Sequence, residues 1–305
     1  MGEEYPKTLL EFEKQFADEA ACWAYLTRLR WPEGFVCPAC SGKNHLMVRR
    51  ARWRCADCGR ETSVIAGTVF QDTKLPLTIW FRAMWQVTCQ KSGVSAMGLQ
   101  RALGLGSYKT AWTMLHKLRR AMVRPGRDQL KGIVEVDETY YGAPHKGIAG
   151  RHLGNKALII IAAEVDGTRI GRVRMRTITG ANRKNLHPFI TDSIAPGSTV
   201  HTDGLQSYDG MKGFVHQRHP KSQQADDDEH VLPHVHRVIT LLKRWLLGTH
   251  QGAVDKDYLQ DYLDEFTFRF NRRTSAARGK LFYRLAQHAV QIPPTTFEYL
   301  RHHNP

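Results

Sequence analysis

The sequence predicts a multidomain α+β protein, and three observations carry that prediction. Two CxxC pairs sit in a short, Gly-punctuated, strand-like stretch at residues 35–65. Helical periodicity occupies residues 75–123. From Gly132 onward the pattern changes to β-runs separated by helical segments. A chain of 305 residues, 42% of them hydrophobic, suits two or three domains with real cores. The expected division is a helical segment at 1–34, a cysteine module at 35–66, a helical module at 75–125, an α/β domain at 131–275 and a C-terminal tail at 276–305. Pro125-Gly126 marks the principal boundary.

Residues 7–31 carry apolar positions at helical spacing (Leu9, Leu10, Phe12, Phe16, Ala20, Trp23, Leu26), and Trp31-Pro32-Glu33-Gly34 ends them as a turn. Cys37-Pro-Ala-Cys40 and Cys55-Ala-Asp-Cys58 follow. A CxxC turn lets two thiolates converge on one tetrahedral ion, and a second knuckle completes a closed set of four sulfurs. That is the arrangement of structural zinc, so the module reads as a zinc ribbon. With no open coordination position, this zinc folds the module and does no chemistry. Cys22 and Cys89 stand alone in helical segments and read as small buried hydrophobes.

The next module reads as helix-turn-helix. Trp80, Phe81, Met84, Trp85 and Val87 make one amphipathic helix, and Ser92-Gly93-Val94-Ser95 breaks the chain before a short helix at Ala96–Leu103. Gly104-Leu105-Gly106 turns, Ser107 caps, and Tyr108–Val123 makes the second, longer helix. Leu105, Ala111, Trp112, Leu115, Leu118 and Met122 can pack. Tyr108, Lys109, Thr110, Lys117, Arg119 and Arg120 can face out and touch DNA, with Tyr108, Lys109 and Thr110 placed to read bases. An ordinary three-helix bundle with a solvated basic face is the other reading of this stretch. The formal net charge of +15 favours a polyanionic partner, because each docked cation releases counterions from a phosphate backbone.

In the α/β domain, strands are expected at Ile133–Tyr141, Leu158–Val165, Val173–Ile178 and Thr199–Thr202. Helical segments are expected after Thr179, after Gly204, and at about 234–248 and 255–272. Asp137 sits at the centre of the first strand and Asp203 at the end of the fourth. Two such aspartates are the minimum needed to bridge two magnesium ions for phosphodiester chemistry. A third ligand is expected on the helix after Pro233. There His236 and Lys243 are seven residues apart and share a face. The imidazole can supply a neutral nitrogen to a divalent ion, and the lysine can meet a phosphate. Glu229, in the acidic run Asp226–Glu229, is the rival third ligand. Glu138 neighbours Asp137 but is expected on the opposite face of the strand. Residues 143–156, with His145, Lys146, Arg151, His152 and Lys156, read as a Gly-rich basic loop, suited either to gripping a DNA backbone or to a flexible hairpin. Asn271, Arg272 and Arg273 read as helix-capping or phosphate-binding residues.

CPAC and CADC, followed by AGTVFQDTKLPLTIWF, VDETYYG, HTDGLQSY, LLKRWLLGTHQGAV and YLDEFTFRFNRR, resemble the bacterial insertion-sequence transposases of family 1595 over residues 20 to 275. The resemblance implies a zinc ribbon and helix-turn-helix joined to a ribonuclease-H-like domain with a mixed five-stranded sheet. It implies catalytic acids at Asp137 and Asp203. At the position that is Glu in many relatives, this chain has His236, giving a DDH site followed by Lys243. It further implies catalytic Mg2+ or Mn2+, terminal inverted repeats and target DNA as duplex partners, and a homo-oligomer during synapsis. Two other function classes fit the same features: a zinc-dependent DNA-binding regulator whose acidic domain is a relic, and a hydrolytic nuclease of ribonuclease-H type. No run reaches the roughly 18 apolar residues of a membrane helix, and the first residues are acidic, so a cytoplasmic, nucleoid-associated protein is expected.

Overall fold

In the computed structural model, residues 3–49, 51–124, 126–142, 156–220 and 231–302 are described. The chain divides into two compact units, residues 1–124 with 274–304, and residues 125–273.

The first unit opens on α1 (Leu9–Gln15) and α2 (Glu19–Arg30). The single helix expected over 7–31 is split because Asp18 takes an extended conformation and its Oδ1 accepts the Ala21 amide at 2.8 Å, starting a new helix. A three-stranded antiparallel sheet follows, in the order β1 (His45–Arg49), β2 (Arg52–Cys55), β3 (Glu61–Ser63). Three helices come next: α3 (Leu77–Cys89), α4 (Ala96–Leu103) and α5 (Tyr108–Arg120). Gly104, at φ 62°, ends α4 in the left-handed conformation that costs glycine nothing. Ser107 then caps α5 by accepting the Thr110 amide at 3.1 Å.

The C-terminal segment, expected as a tail, instead forms α9 (Gly279–Ala289) and α10 (Phe297–His302) within this first unit. Phe282 of α9 is fully buried. Its ring lies 5.4 Å from Phe12, 5.5 Å from Phe16 and 5.6 Å from Phe81, centroid to centroid, with Trp85 at 6.0 Å. The apolar surface of α1 and α3 that an N-terminal module alone would leave exposed is covered by this aromatic residue. At Gly279 the approach is so close that an added Cβ would stand 1.5 Å from the Pro6 carbonyl oxygen.

The second unit is a five-stranded sheet in the order β6-β5-β4-β7-β8. β4 (Ile133–Tyr141), β5 (Ala157–Asp166) and β6 (Arg169–Ile178) pair antiparallel; β7 (Thr199–Asp203) pairs parallel with β4, and β8 (Val215–His219) parallel with β7. β5 reads as an unbroken apolar run because both faces are covered. On one face Ile160 and Ala162 meet Leu186, Phe189 and Ile190 of α6 (Arg183–Ser193). On the other, Ile159, Ile161 and Ala163 meet Val235, Val238 and Leu242 of α7 (Pro233–His250) and Leu263 and Phe266 of α8 (Leu259–Phe270).

One local expectation changes. The segment after Gly204 makes only a short 3-10 turn at Gln206–Tyr208, and the unforeseen β8 follows it. Asn271, expected to cap the helix or bind phosphate, is the C-cap of α8 and also pins that helix to β6: its Oδ1 accepts the Val173 amide at 2.8 Å and its Nδ2 donates to the Val173 carbonyl at 3.1 Å. Arg272 and Arg273 stack over Phe268 and Phe270. Among the described residues no helix is long and apolar enough to cross a membrane.

Because Phe282 fills the centre of the aromatic cluster, Phe282→Ala should destabilise the first unit by about 3–5 kcal/mol. Denaturant titration followed by tryptophan fluorescence checks this; an unshifted midpoint would show that α9 is dispensable to that core.

Candidate functional site

The sequence of β4 alternates around its carboxylates, so Glu135 and Asp137 share one face of the sheet and Glu138 takes the other. The β5 partners of Glu135 and Asp137 are Ala163 and Ile161, both in the core beneath α7. Parallel pairing of β4 with β7 ends at Glu135 and His201. Beyond that point lie Asp137 in β4 and Asp203, the last residue of β7. The Asp203 Oδ1 accepts the Leu205 amide at 3.0 Å, which holds the turn after the strand.

α7 runs across this face and starts beside Asp137. His236 Nε2 donates to Asp137 Oδ2 at 3.1 Å, while Asp137 Oδ1 accepts the Glu138 amide at 2.8 Å. That separation is the ordinary length of an N–H···O hydrogen bond, and it is also close to the spacing of about 3 Å between adjacent ligands of an octahedral ion bound at about 2.1 Å. His236 and Asp137 are therefore brought together, with the ring half-exposed and the carboxylate mostly covered. Lys243 is exposed two turns along α7. Asp203 does not join Asp137 and His236 in one tight cluster: among the described residues, the four cysteines form the only group of three or more His, Cys, Asp or Glu ligand atoms within 4.8 Å.

Glu138 is closer to this centre electrostatically than alternation alone suggests. Its Oε1 accepts from the buried Tyr208 hydroxyl at 2.5 Å. Burial pushes the Glu138 carboxyl up to about 7; the Tyr208 hydrogen bond draws it down, and the Asp137 and Asp203 charges raise it again. Sequence reasoning also passed over Glu135, which is 4% exposed. The signal was present, since a carboxylate between Val134 and Val136 on an inward-facing register needs a partner. Glu229 and the loop 143–155 lie outside the described residues.

In the first unit the Cys37 and Cys58 sulfurs are 3.7 Å apart, and those of Cys40 and Cys55 are 3.6 Å apart. Four sulfurs at about 2.3 Å from a tetrahedral zinc stand roughly 3.8 Å from one another, so the four-cysteine cluster fits one zinc ion. Backbone amides of Ala39 and Cys40 hold the Cys37 thiol down to about 7; at Cys40 the Gly42 amide pulls the same way, but hydrogen bonds with the Cys58 and Cys55 sulfurs push that thiol up to about 12. The isolated cysteines differ in kind: burial pushes Cys22 up to about 12 and Cys89 to about 11.

On α5, Tyr108 is half-exposed. Lys109, Thr110 and Lys117 line one cavity of about 330 Å³ together with Lys74, Trp80 and Phe297. Lys109 Nζ lies 3.8 Å from the centre of the Phe297 ring, and Arg120 stacks over Tyr299 at 5.2 Å. Arg119 corrects the expectation that it faces out. It is 1% exposed, because it falls on the inner face of α5 with Leu115 and Leu118, where its Nη1 donates to His116 Nε2 at 3.3 Å.

Residues 129–271 match the model of the ISXO2-like transposase domain, and residues 17–61 match the transposase zinc-ribbon domain. Both are domains of the IS1595 transposase family. An uncharacterized protein of the transposable element ISH50 in Halobacterium salinarum is 28% identical over 282 residues, a span covering 84% of this chain and 92% of that relative. Asp137, Asp203, His236 and Lys243 all fall within the transposase-domain match, and the four cysteines within the ribbon match. Helices α3 to α5 lie between the two matches. A transposase domain and a transposase zinc ribbon imply DNA binding.

The full chain should carry about one equivalent of zinc, and Cys55→Ser should release it and unfold the ribbon. Elemental analysis beside amide exchange over residues 35–66 measures both; full zinc retention in the variant would refute the four-sulfur site.

Proposed function

We propose that this chain is the transposase of an insertion sequence, binding the element's terminal inverted repeats and catalysing metal-dependent strand cleavage and strand transfer. The observation that carries the reading is the contact of His236 with Asp137 at ligand spacing, inside a transposase-family domain. The order of the five strands, antiparallel on one side of β4 and parallel on the other, supports a ribonuclease-H-like domain at 131–275. The Ser107-capped α5 after the Gly104 turn supports helix-turn-helix at 75–125.

On this reading Asp137, Asp203 and His236 hold two Mg2+ or Mn2+ ions. When bound, such a pair activates the attacking oxygen and stabilises the leaving one. Water attacks first and frees a 3′-hydroxyl, which then attacks target DNA in line. Lys243, on the exposed face of α7, positions the DNA backbone as a point charge. Tyr108, Lys109, Thr110, Lys117 and Arg120 contact the ends through α5, and two ends are held by a homo-oligomer.

The test uses duplexes carrying the repeats that flank the gene, with Mn2+ present. The parent chain should nick and join them, Asp137→Asn and Asp203→Asn should do neither, and His236→Ala should be severely impaired. Equal cleavage and joining by His236→Ala would remove His236 from the site. Specific binding by the parent without cleavage would indicate a regulator, and cleavage without joining a hydrolytic nuclease.

A further inference from the structure

α7 begins without a cap of its own. The residue before it, Leu232, has no side-chain acceptor, and Pro233 at the first position has no N–H to satisfy. The next two residues nevertheless find an acceptor. Glu135 Oε1 accepts from His234 Nδ1 at 2.6 Å, and Glu135 Oε2 accepts from the Val235 amide at 2.8 Å. The cap is thus supplied from β4, by a carboxylate almost wholly buried under the helix. An ionised acceptor at a helix N-terminus is favoured by the unsatisfied amides and the helix dipole, and a buried carboxylate needs such donors to remain buried.

The position of this cap gives it a consequence for the site. Glu135 and Asp137 are two residues apart on the same face of β4, and His234 and His236 are two residues apart in the first turn of α7. Two rungs therefore join strand to helix, Glu135 to His234 and Val235, and Asp137 to His236. The first rung is buried; the second is the partly exposed one that would have to open to admit an ion. With the second opened, the first still ties the start of α7 to β4, beside the apolar burial of Leu232 and Val235.

We infer that Glu135 is a positioning residue of the transposase site, a cap in trans on α7 that holds His236 at ligand spacing from Asp137. The inference rests on the reading that Asp137 and His236 bind the catalytic ion. It predicts that the carboxylate itself is not a ligand, since both of its oxygens are occupied by α7.

The experiment is a Mn2+ titration by electron paramagnetic resonance on the full-length, zinc-loaded chain, with amide exchange of the first turn of α7 measured before Mn2+ is added. Glu135→Ala should expose that turn to exchange and weaken Mn2+ binding about 10- to 100-fold, the range for residues that orient a metal ligand. Glu135→Gln should largely rescue both, because an amide oxygen can accept from Val235 while the amide nitrogen donates to the other tautomer of His234. Unchanged Mn2+ affinity in Glu135→Ala would overturn the inference; so would a Glu135→Gln variant as weak as the alanine, which would make Glu135 a direct ligand. If Glu135→Ala does not fold, His234→Ala removes only one of the two contacts and should still weaken Mn2+ binding several-fold; no change there would be equally fatal. Asp137→Asn in the same titration separates the two levels. If it binds Mn2+ as the parent does, the metal-site reading itself fails. If it binds weakly while Glu135→Ala binds normally, only the role of Glu135 falls.

Discussion

The parallel pairing of β4 with β7 is the constraint on which the second unit depends. Parallel strands point their C-terminal ends the same way, so carboxylates far apart in sequence reach the same end of the sheet. Had β7 joined antiparallel, Asp203 would sit at the opposite end from Asp137. Parallel pairing demands a crossover, and α6 lies within the connection from β6 to β7, covering one face of the sheet. The other face is left for α7, which brings His236. The burial of β5 on both faces follows from the same arrangement, and it locks the register, because a one-residue slip would exchange the contents of two apolar cores.

What the sequence made legible was whatever depends on local spacing. The CxxC pairs specify their ligand set by covalent proximity within each knuckle, and they fall together in space with sulfur separations suited to zinc. The strongly apolar β5 could be read because burial on both faces leaves no alternation to confuse with a surface strand, and β4 because its carboxylates interrupt an otherwise β-rich run. β8 escaped because it is an edge strand of mostly exposed residues, Val215 through His219, with no pattern to read. Arg119 misled because a basic residue at a boundary position of an amphipathic helix is assigned outward by charge alone. Its actual place is set by how α5 packs, and its aliphatic stem and His116 make that burial tolerable.

Non-local partnerships were the part that spacing could not supply. The C-terminal segment reads as a tail until Phe282 is seen among Phe12, Phe16 and Phe81, residues from the other end of the chain. Glu135 reads as one more strand residue until its two acceptor bonds to α7 are known. In both cases the local sequence carried a debt, an unpartnered aromatic or an unpartnered buried charge, without naming where it would be settled. Glu138 is intermediate. Alternation placed it away from Asp137, yet its hydrogen bond to Tyr208 and the charges of Asp137 and Asp203 tie its ionisation to the acidic centre through the thickness of the strand.

On the proposed assignment, a histidine in place of a third carboxylate changes the physics of the site. A carboxylate at position 236 would face Asp137 as a like charge, and one of the two would have to bind a proton or move away. An imidazole instead donates a hydrogen bond to Asp137 and keeps the first turn of α7 seated before any ion arrives. On that proposed assignment the same substitution removes one negative charge from the ligand set and so weakens the pull on a divalent cation. What the proposed site gains in exchange is a seated helix start. The buried Glu135 cap acts in the same direction, since an ion that meets a helix already held on the strand loses less free energy to ordering its ligands.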